Sequence, residues 1–532
     1  MQARTPLRSL APGWLLLVVC LLLPLSARAA DDFAAQVAAL GAGSFTEKQA
    51  AAETVAASGH PRAVAVLKAL LDGKLYKTGD GQVLIVDDTG GAVDAASGEA
   101  AAAAGGSRIV INNRMRVGLR GLIAQLSLGH PDAEVRLQAA QDMLAAMDAD
   151  AAAQFRAALE QEKNGAVRDL LESGLALADL DAEDPAVRLA AVKQLDGRLN
   201  STVRARLQSV ADSDVDPQVK AAAAAALKGI EGKLQRYRLV ETLFFGLSLG
   251  SVLVLAAIGL AITFGVMGVI NMAHGELIML GAYTTYVVQL LMPQHLGWSL
   301  AVAVPAAFLV SALVGIAIER GVIRFLYGRP LETLLATFGV SLLLQQAVRS
   351  IFSPLNRSVA TPDWMAGSLA INPALSITYN RLYIVIFSLL VFAALLVVLK
   401  RTSLGLKVRA VSQNRAMAKA LGVRSARVDA LTFGLGSGIA GVAGVALSQL
   451  TNVGPNLGQS YIVDSFMVVV FGGVGNLWGT LVAGLSLGVV NKFLEPYAGA
   501  VLAKILVLVF IILFIQKRPR GLFPQKGRAA EA

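Results

Sequence analysis

Three stretches of this chain place polar or charged side chains inside or between long apolar runs, where they can act on a solute or a partner. The first is Asn271-Met272-Ala273-His274-Gly275-Glu276. Ionisable groups at membrane depth are costly and default to functional roles. Asn271, His274 and Glu276 are therefore candidates to line a pathway; alternatively His274 and Glu276 cap the amides of a re-entrant turn at the cytoplasmic interface. The second is the break Phe471-Gly472-Gly473-Val474-Gly475-Asn476-Leu477-Trp478-Gly479. Helix ends at membrane depth are tolerated only when buried in protein or facing water. Gly472, Gly473, Gly475 and Asn476 can thus offer hydrogen bonds to a polar permeant, or form a packing or gating joint. The third is the basic cassette Leu404 to Val423, whose Val408, Val411, Met417 and Leu421 are spaced to suit one helix face. An amphipathic helix there can dock a cytoplasmic partner.

None of this is catalytic chemistry. The chain has no G-x-x-x-x-G-K-[ST] for nucleotide phosphates, no nucleophile elbow and no Cys or His cluster with metal spacing. It does not read as an enzyme, and no cofactor is expected. His60 and His130, each followed by proline, start helices and lack a third ligand for a metal. Asp464, Lys492, Glu495 and Lys504 fall near span ends, where snorkelling accounts for such residues.

The elements that must position these groups are membrane helices. With 55% hydrophobic and 16% charged residues, the chain exceeds the apolar content of a soluble domain. The excess is confined to the second part. Asp31 to Gln235 holds 21 Lys and Arg against 28 Asp and Glu, whereas Arg236 to Ala532 holds 23 against 9. About 20 apolar residues cross a bilayer as helix, and spans are expected near 242–264, 269–291, 299–319, 333–352, 381–399, 428–450, 463–474, 478–494 and 500–516. Nine crossings after an exported N-terminal domain put the C-terminus in the cytoplasm. Arg320, Arg324 and Arg329, then Lys400 to Arg427, then Lys517, Arg518 and Arg520 fall inside on that count, as the positive-inside rule requires. The overall charge of +10 then belongs to cytoplasmic loops at the bilayer, and nucleic acid is not an expected partner because no basic run interleaves with aromatics. Gly434, Gly436, Gly438, Gly441 and Gly444 are spaced for close helix packing.

Ahead of the spans lie two further segments. Residues 1–29, with Arg4 and Arg8, an apolar run from Trp14 to Leu25 and Ala27-Arg28-Ala29, form a secretory signal, with an uncleaved anchor as the alternative. Cleavage removes Cys20, the sole cysteine. Residues 30–235 read as an exported, Ala-rich helical domain. Similar helix starts recur at Val135, Val167, Val187 and Val219, and two of the intervals are 32 residues (135 to 167, 187 to 219). Repeats of this kind resemble degenerate HEAT-type units of an α-solenoid; an irregular helical bundle is the alternative. Tyr76 to Gly91 breaks the pattern as a small β-hairpin, and Gly98 to Gly106 reads as a flexible loop. The fold class is therefore α: a polytopic α-helical membrane unit over 236–525, a cytoplasmic tail at 526–532, and an exported helical repeat domain carrying the small β-hairpin in front; the resemblance below makes the membrane unit a permease.

The stretch Gly265 to Tyr283 (GVMGVINMAHGELIMLGAY) resembles the signature after the first span of LivH-type permeases of branched-chain amino acid ABC transporters. Thr337-Phe338-Gly339-Val340-Ser341, the cassette and the Gly472 to Gly479 break match in order. The resemblance implies that the cassette is the coupling helix that enters a cleft of the ATPase dimer, with Gly405, Arg409, Ala410, Asn414, Ala418 and Gly422 as coupling residues. The cassette departs from the acidic-alanine pattern of general importer permeases. The resemblance also implies two cytoplasmic ATPase subunits, a periplasmic substrate-binding protein and a second, LivM-like permease, in the bacterial inner membrane. Within this group the fused exported domain resembles urea-transporting permeases, which shifts the expected solute to urea or a short amide, with branched-chain amino acids as the alternative. An ATP-independent urea channel or carrier, or a membrane sensor, are the rival classes.

Overall fold

The computed structural model describes residues 32–523, apart from 42, 88–89, 102–105, 145–146, 148 and 373. The signal segment and the 526–532 tail lie outside the described residues. The chain divides into two compact units, one up to Lys233 and one from Leu234 onward.

The N-terminal unit is built from a recurring three-helix motif. After α1 (32–39) come α2 (Phe45–Ala57), α3 (Ala63–Leu71), α4 (Asn113–Ser127), α5 (Ala133–Leu144), α6 (Ala149–Gln161), α7 (Gly165–Asp179), α8 (Pro185–Leu195), α9 (Ser201–Ser213) and the start of α10 (Pro217–Met267). Helices α8, α9 and α10 each begin 52 residues after α5, α6 and α7 (133 to 185, 149 to 201, 165 to 217), and α4 begins 52 residues before α7. Asn112, Asn164 and Asp216 occupy equivalent positions and each accepts backbone N–H groups of the following turn, satisfying donors that a helix start leaves open. The 32-residue interval seen in the sequence is thus the distance from the first helix of a motif to its third, and the motif itself repeats every 52 residues.

A duplicated ion pair fixes the repeat. Arg136 Nε and Nη2 donate to the two carboxylate oxygens of Glu162 at 2.6 and 2.9 Å, and Nη1 donates to the carbonyls of His130 and Pro131. Fifty-two residues on, Arg188 makes the same four bonds to Asp214, Ala182 and Glu183. Arg136, with the Lys163 and Asn164 amides, holds the Glu162 carboxyl at about 2, against an ordinary 4.5. Its stabilisation is therefore complete above the ordinary value and is lost as pH falls toward 2. Arg136→Ala should lower the melting temperature at pH 7, because it leaves the Glu162 carboxylate without its guanidinium partner, and the deficit should shrink as the pH drops below 4. Thermal melts of the purified chain with protease readout measure it; identical melts at pH 7 would refute the clamp.

Between α3 and α4 the chain inserts an antiparallel five-stranded sheet, ordered β4-β3-β2-β1-β5, from β1 (Leu75–Lys77), β2 (Val83–Val86), β3 (Ala92–Asp94), β4 (Ala100–Ala101) and β5 (Ser107–Arg108). The expected hairpin is β1–β2, with Leu75 opposite Ile85. It is two strands of a larger sheet, and part of the stretch expected as a loop is β4. His60 and His130 sit at helix starts, where each Nδ1 accepts a backbone amide two residues on, from Arg62 and Asp132.

The second unit holds α11 (His274–Leu291), α12 (Leu296–Gly321), α13 (Pro330–Phe352), α14 (Tyr379–Arg401), α15 (Ser403–Gln413), α16 (Arg415–Ala420), α17 (Ser425–Ser448), α18 (Leu457–Gly472) and α19 (Leu477–Lys517), with a β6 (Ser368–Asn372) and β7 (Leu375–Thr378) hairpin before α14. Among the described residues, six helices are long and apolar enough to cross a membrane: α10, α12, α13, α14, α17 and α19. All nine expected segments are helical, but α11 falls outside this set and α18 is short. Two segments share α19, which breaks at Gly499 with φ 76°, a conformation that favours glycine. Before the break α19 packs on α10, where a methyl on Gly488 would meet the Gly250 backbone. After it, Lys504 pairs with Asp464 and Phe514 packs on Phe471 of α18.

Close backbone contacts hold the centre together, as the glycine spacing in α17 predicts. A methyl on Gly436 would meet the backbone of Gly259, one on Gly441 the carbonyl of Ala307, and one on Gly444 the backbone of Ile278 and Ala282. Helices α10, α11 and α12 therefore all seat on α17.

Candidate functional site

The chain leaves α10 at Met267 and turns at Gly268 with φ 67°. It then runs back along the helix it has just left. His274, the first residue of α11, places Nε2 2.8 Å from the carbonyl oxygen of Ala256, eleven residues before the end of α10. At 1.5 Å per residue that is about 16 Å, half of a hydrocarbon layer about 30 Å thick. Helix α11 thus begins deep among the helices, and Asn271, His274 and Glu276 are buried there.

Every backbone group in this return must find a partner. The Met272 amide donates to Thr337 Oγ1 at 3.1 Å, and the Ala273 amide to Asn271 Oδ1 at 3.0 Å. Because a carbonyl only accepts, the Ala256 contact fixes the proton on His274 Nε2 and leaves Nδ1 as an acceptor. Glu276 Oε1 accepts from Ser341 Oγ at 3.0 Å and Gln345 Nε2 at 2.8 Å. Asn271 Nδ2, His274 Nδ1 and Glu276 Oε2 are buried without a protein partner among the described residues. The three side chains are at most 1% exposed.

Sequence reasoning missed the other half of this site. Thr333, Thr337, Ser341 and Gln345 recur every fourth residue of α13 and are all buried, while Leu335, Leu342 and Leu343 on other faces are exposed. Four-residue spacing lines one face of a helix, so the polar stripe was visible as a period.

The remaining pathway candidates lie elsewhere. Gly475 packs on Gly265, and Gly472 on the backbone of Gly479. Gly265 is nine residues from Ala256, about 14 Å along α10. Leu522 and Phe523 cover the break: their amides donate to the carbonyls of Phe471 and Gly472, Asn476 Nδ2 donates to the Phe523 carbonyl, and Gly473 abuts Phe523. Asn476 Oδ1 caps α19 through the Trp478 and Gly479 amides. Gly472, Gly473, Gly475 and Asn476 thus form a joint at one end of the helices, apart from Asn271, His274 and Glu276.

The cassette lies at that same end, because its Val408, Val411 and Ala418 pack with Val428 and with Val266 of α10. It is two helices, not one. Asn414 adopts an extended φ of −149°, ends α15 and caps α16 by accepting the Met417 amide at 2.9 Å. The break rotates the second half, so Met417 and Leu421 do not share the buried face of Val408 and Val411. With Leu406 they are 57–78% exposed. The named coupling positions mostly build the element. Gly405 abuts the Leu399 backbone, Arg409 donates to the Leu399 carbonyl, Ala410 is half-buried, Ala418 is buried, and Gly422 ends α16 at φ 82°.

The second unit is a polytopic α-helical bundle with a deep polar turn, glycine-seated helices and a structured basic cassette at one end. The family model for the branched-chain amino acid transport system permease component matches residues 242–515, and the chain belongs to that family. The high-affinity branched-chain amino acid permease LivH of Escherichia coli K12 is 31% identical over 293 residues, covering 53% of this chain and 94% of the relative. BraD of Pseudomonas aeruginosa is 31% identical over 296 residues, covering 54% and 96%. The ribose import permease RbsC of Bacillus subtilis is 29% identical over 136 residues, 23% of this chain and 42% of its own. No solved structure matches. The chain is thus a multi-pass transport protein, and the N-terminal unit lies outside the matched region.

Proposed function

We propose that this chain is one half of the permease of an ATP-driven importer in the bacterial inner membrane, and that its solute is urea. Membership of the permease family carries the first statement. The basic end of the helices, with Arg320, Arg324, Lys407, Arg409, Lys419 and Lys517, faces the cytoplasm by the positive-inside rule. The cassette sits at that end and docks on separate ATPase subunits through the exposed Leu406, Met417 and Leu421, ringed by its lysines and arginines. A related second permease completes the pathway, a periplasmic protein delivers the solute, and the 30–235 domain stands on the periplasmic side. ATP closes the ATPase pair, the cassette moves, and the helices alternate between outward and inward access.

Two observations bear on the solute. The matched amino acid permeases are almost wholly covered by the second unit and have no length for the first, which favours a different solute. Urea is small, neutral and rich in hydrogen-bonding groups, and suits the Asn271, His274 and Glu276 turn. The branched-chain amino acid transport for which those relatives are named favours the second reading, a branched-chain amino acid.

Labelled urea and labelled leucine uptake in proteoliposomes, with and without ATP, ATPase subunits and binding protein, separates the readings. ATP-dependent urea uptake supports the proposal, and leucine uptake returns the solute to that of the relatives. Urea flux without ATP makes the chain a channel or carrier, and no flux a sensor. Leu406→Asp with Leu421→Asp should leave insertion intact and lower co-purification of the ATPase subunits by roughly tenfold, since charges replace the apolar contacts at the dock. Unchanged co-purification would remove the cassette from the interface.

A further inference from the structure

The cassette is fastened to the helices by a charged contact that no sequence motif announces. Arg415, the first residue of α16, forms an ion pair with Asp429 of α17, whose carboxylate is 1% exposed. Its guanidinium also lies over the ring of Tyr327, 4.6 Å from the centroid. Tyr327 belongs to the connection between α12 and α13, and its hydroxyl is 3.4 Å from Oε1 of Glu319, a buried residue near the end of α12. One cassette side chain therefore touches α17 and the α12–α13 connection together. The packing of the cassette on Val428 of α17 and Val266 of α10 is apolar, through Val408, Val411 and Ala418, and Arg409 donates to the Leu399 carbonyl at the end of α14. Apolar surfaces are non-directional and can slide. A guanidinium held between a buried carboxylate and an aromatic face is directional, and parting it from Asp429 strands a charge.

We infer that Arg415 and Asp429 form the latch through which displacement of the cassette is passed to α17, and by way of Tyr327 and Glu319 to α12; this rests on the reading of the cassette as the ATPase dock. Helix α17 carries the pull inward, because Gly444 seats directly on the backbone of α11 at Ile278 and Ala282, two and six residues beyond Glu276. Arg415 is a positioning residue: it touches no solute and acts through α17.

The test uses the whole complex in proteoliposomes, with ATP hydrolysis and uptake of the solute that the wild type moves, labelled urea or labelled leucine, measured together. The variants are Arg415→Gln, Asp429→Asn and the double substitution. The latch predicts that the double variant still binds its ATPase subunits and hydrolyses ATP but moves solute about tenfold less per ATP. The double variant decides because removing both charges of a merely structural pair costs little. Wild-type uptake per ATP in the double variant overturns the latch alone. A wild-type complex without ATP-dependent uptake overturns the importer reading, and the latch with it. Should a single variant fail to fold, the double, which leaves no stranded charge, gives the answer.

Discussion

Leucine in place of Gly281 should leave almost no folded permease to recover from the membrane. A side chain at this position would grow into the backbone of Gly441, whose carbonyl oxygen and Cα stand where the Cβ must go. Backbone cannot swing aside as a side-chain tip does, so α11 must lift from α17. Helix propensity works the other way, favouring alanine over glycine by about 1 kcal/mol. Overpacking in a rigid core costs about 1–3 kcal/mol per site, and separating two helices also forfeits the Ile278, Ala282 and Gly444 contacts. The total, about 5 kcal/mol, matches the whole stability of many domains. Even Gly281→Ala should lower the melting temperature. Gly321→Ala is the control, because nothing lies within 4 Å of its added methyl. Monodisperse yield in detergent reads the result, and a wild-type yield of Gly281→Leu would mean that α11 does not seat on α17 this way.

That close seating was legible in the sequence, because glycines at 434, 436, 438, 441 and 444 leave a helix without side chains along its contact lines. The polar stripe of α13 was equally periodic and could have been read from Thr333 to Gln345. The depth at which α11 starts was not legible. It depends on non-local contacts, His274 with Ala256 and Met272 with Thr337 among them, and on the turn at Gly268, and local spacing says nothing about how far a loop returns into the helices. The cassette failed for a related reason. Its apolar spacing suits one continuous helix, but Asn414 stops that helix by offering its side chain to the next turn, which asparagine does at helix starts. In the N-terminal unit the Val-Arg-Leu of 135–137 recurs at 187–189 and carries the true period. Measuring from first helix to third hid it.

Glutamine in place of Glu276 should leave the permease at least as stable as the wild type and lower uptake on the order of a hundredfold, about 3 kcal/mol at 1.4 kcal/mol per tenfold. The two effects come from the same atoms. Oε1 takes the hydrogen bonds of Ser341 and Gln345, and a glutamine oxygen can accept both. Folding therefore loses no bond and no longer buries a carboxylate beside helices, a cost of several kcal/mol. Oε2 is different: it is buried, has no protein partner, and is an acceptor that glutamine turns into a donor. A buried acceptor of this kind is a candidate for contact with a solute. If Oε2 accepts an N–H of the passing solute, the glutamine amide meets that donor with another donor and the step fails. If Glu276 only braces α11 against α13, the variant transports within about twofold of the wild type, because both bracing bonds survive. Melting temperature and uptake measured on the same preparation separate the two roles: stability retained with uptake lost assigns Glu276 to the pathway, and both retained assigns it to the frame.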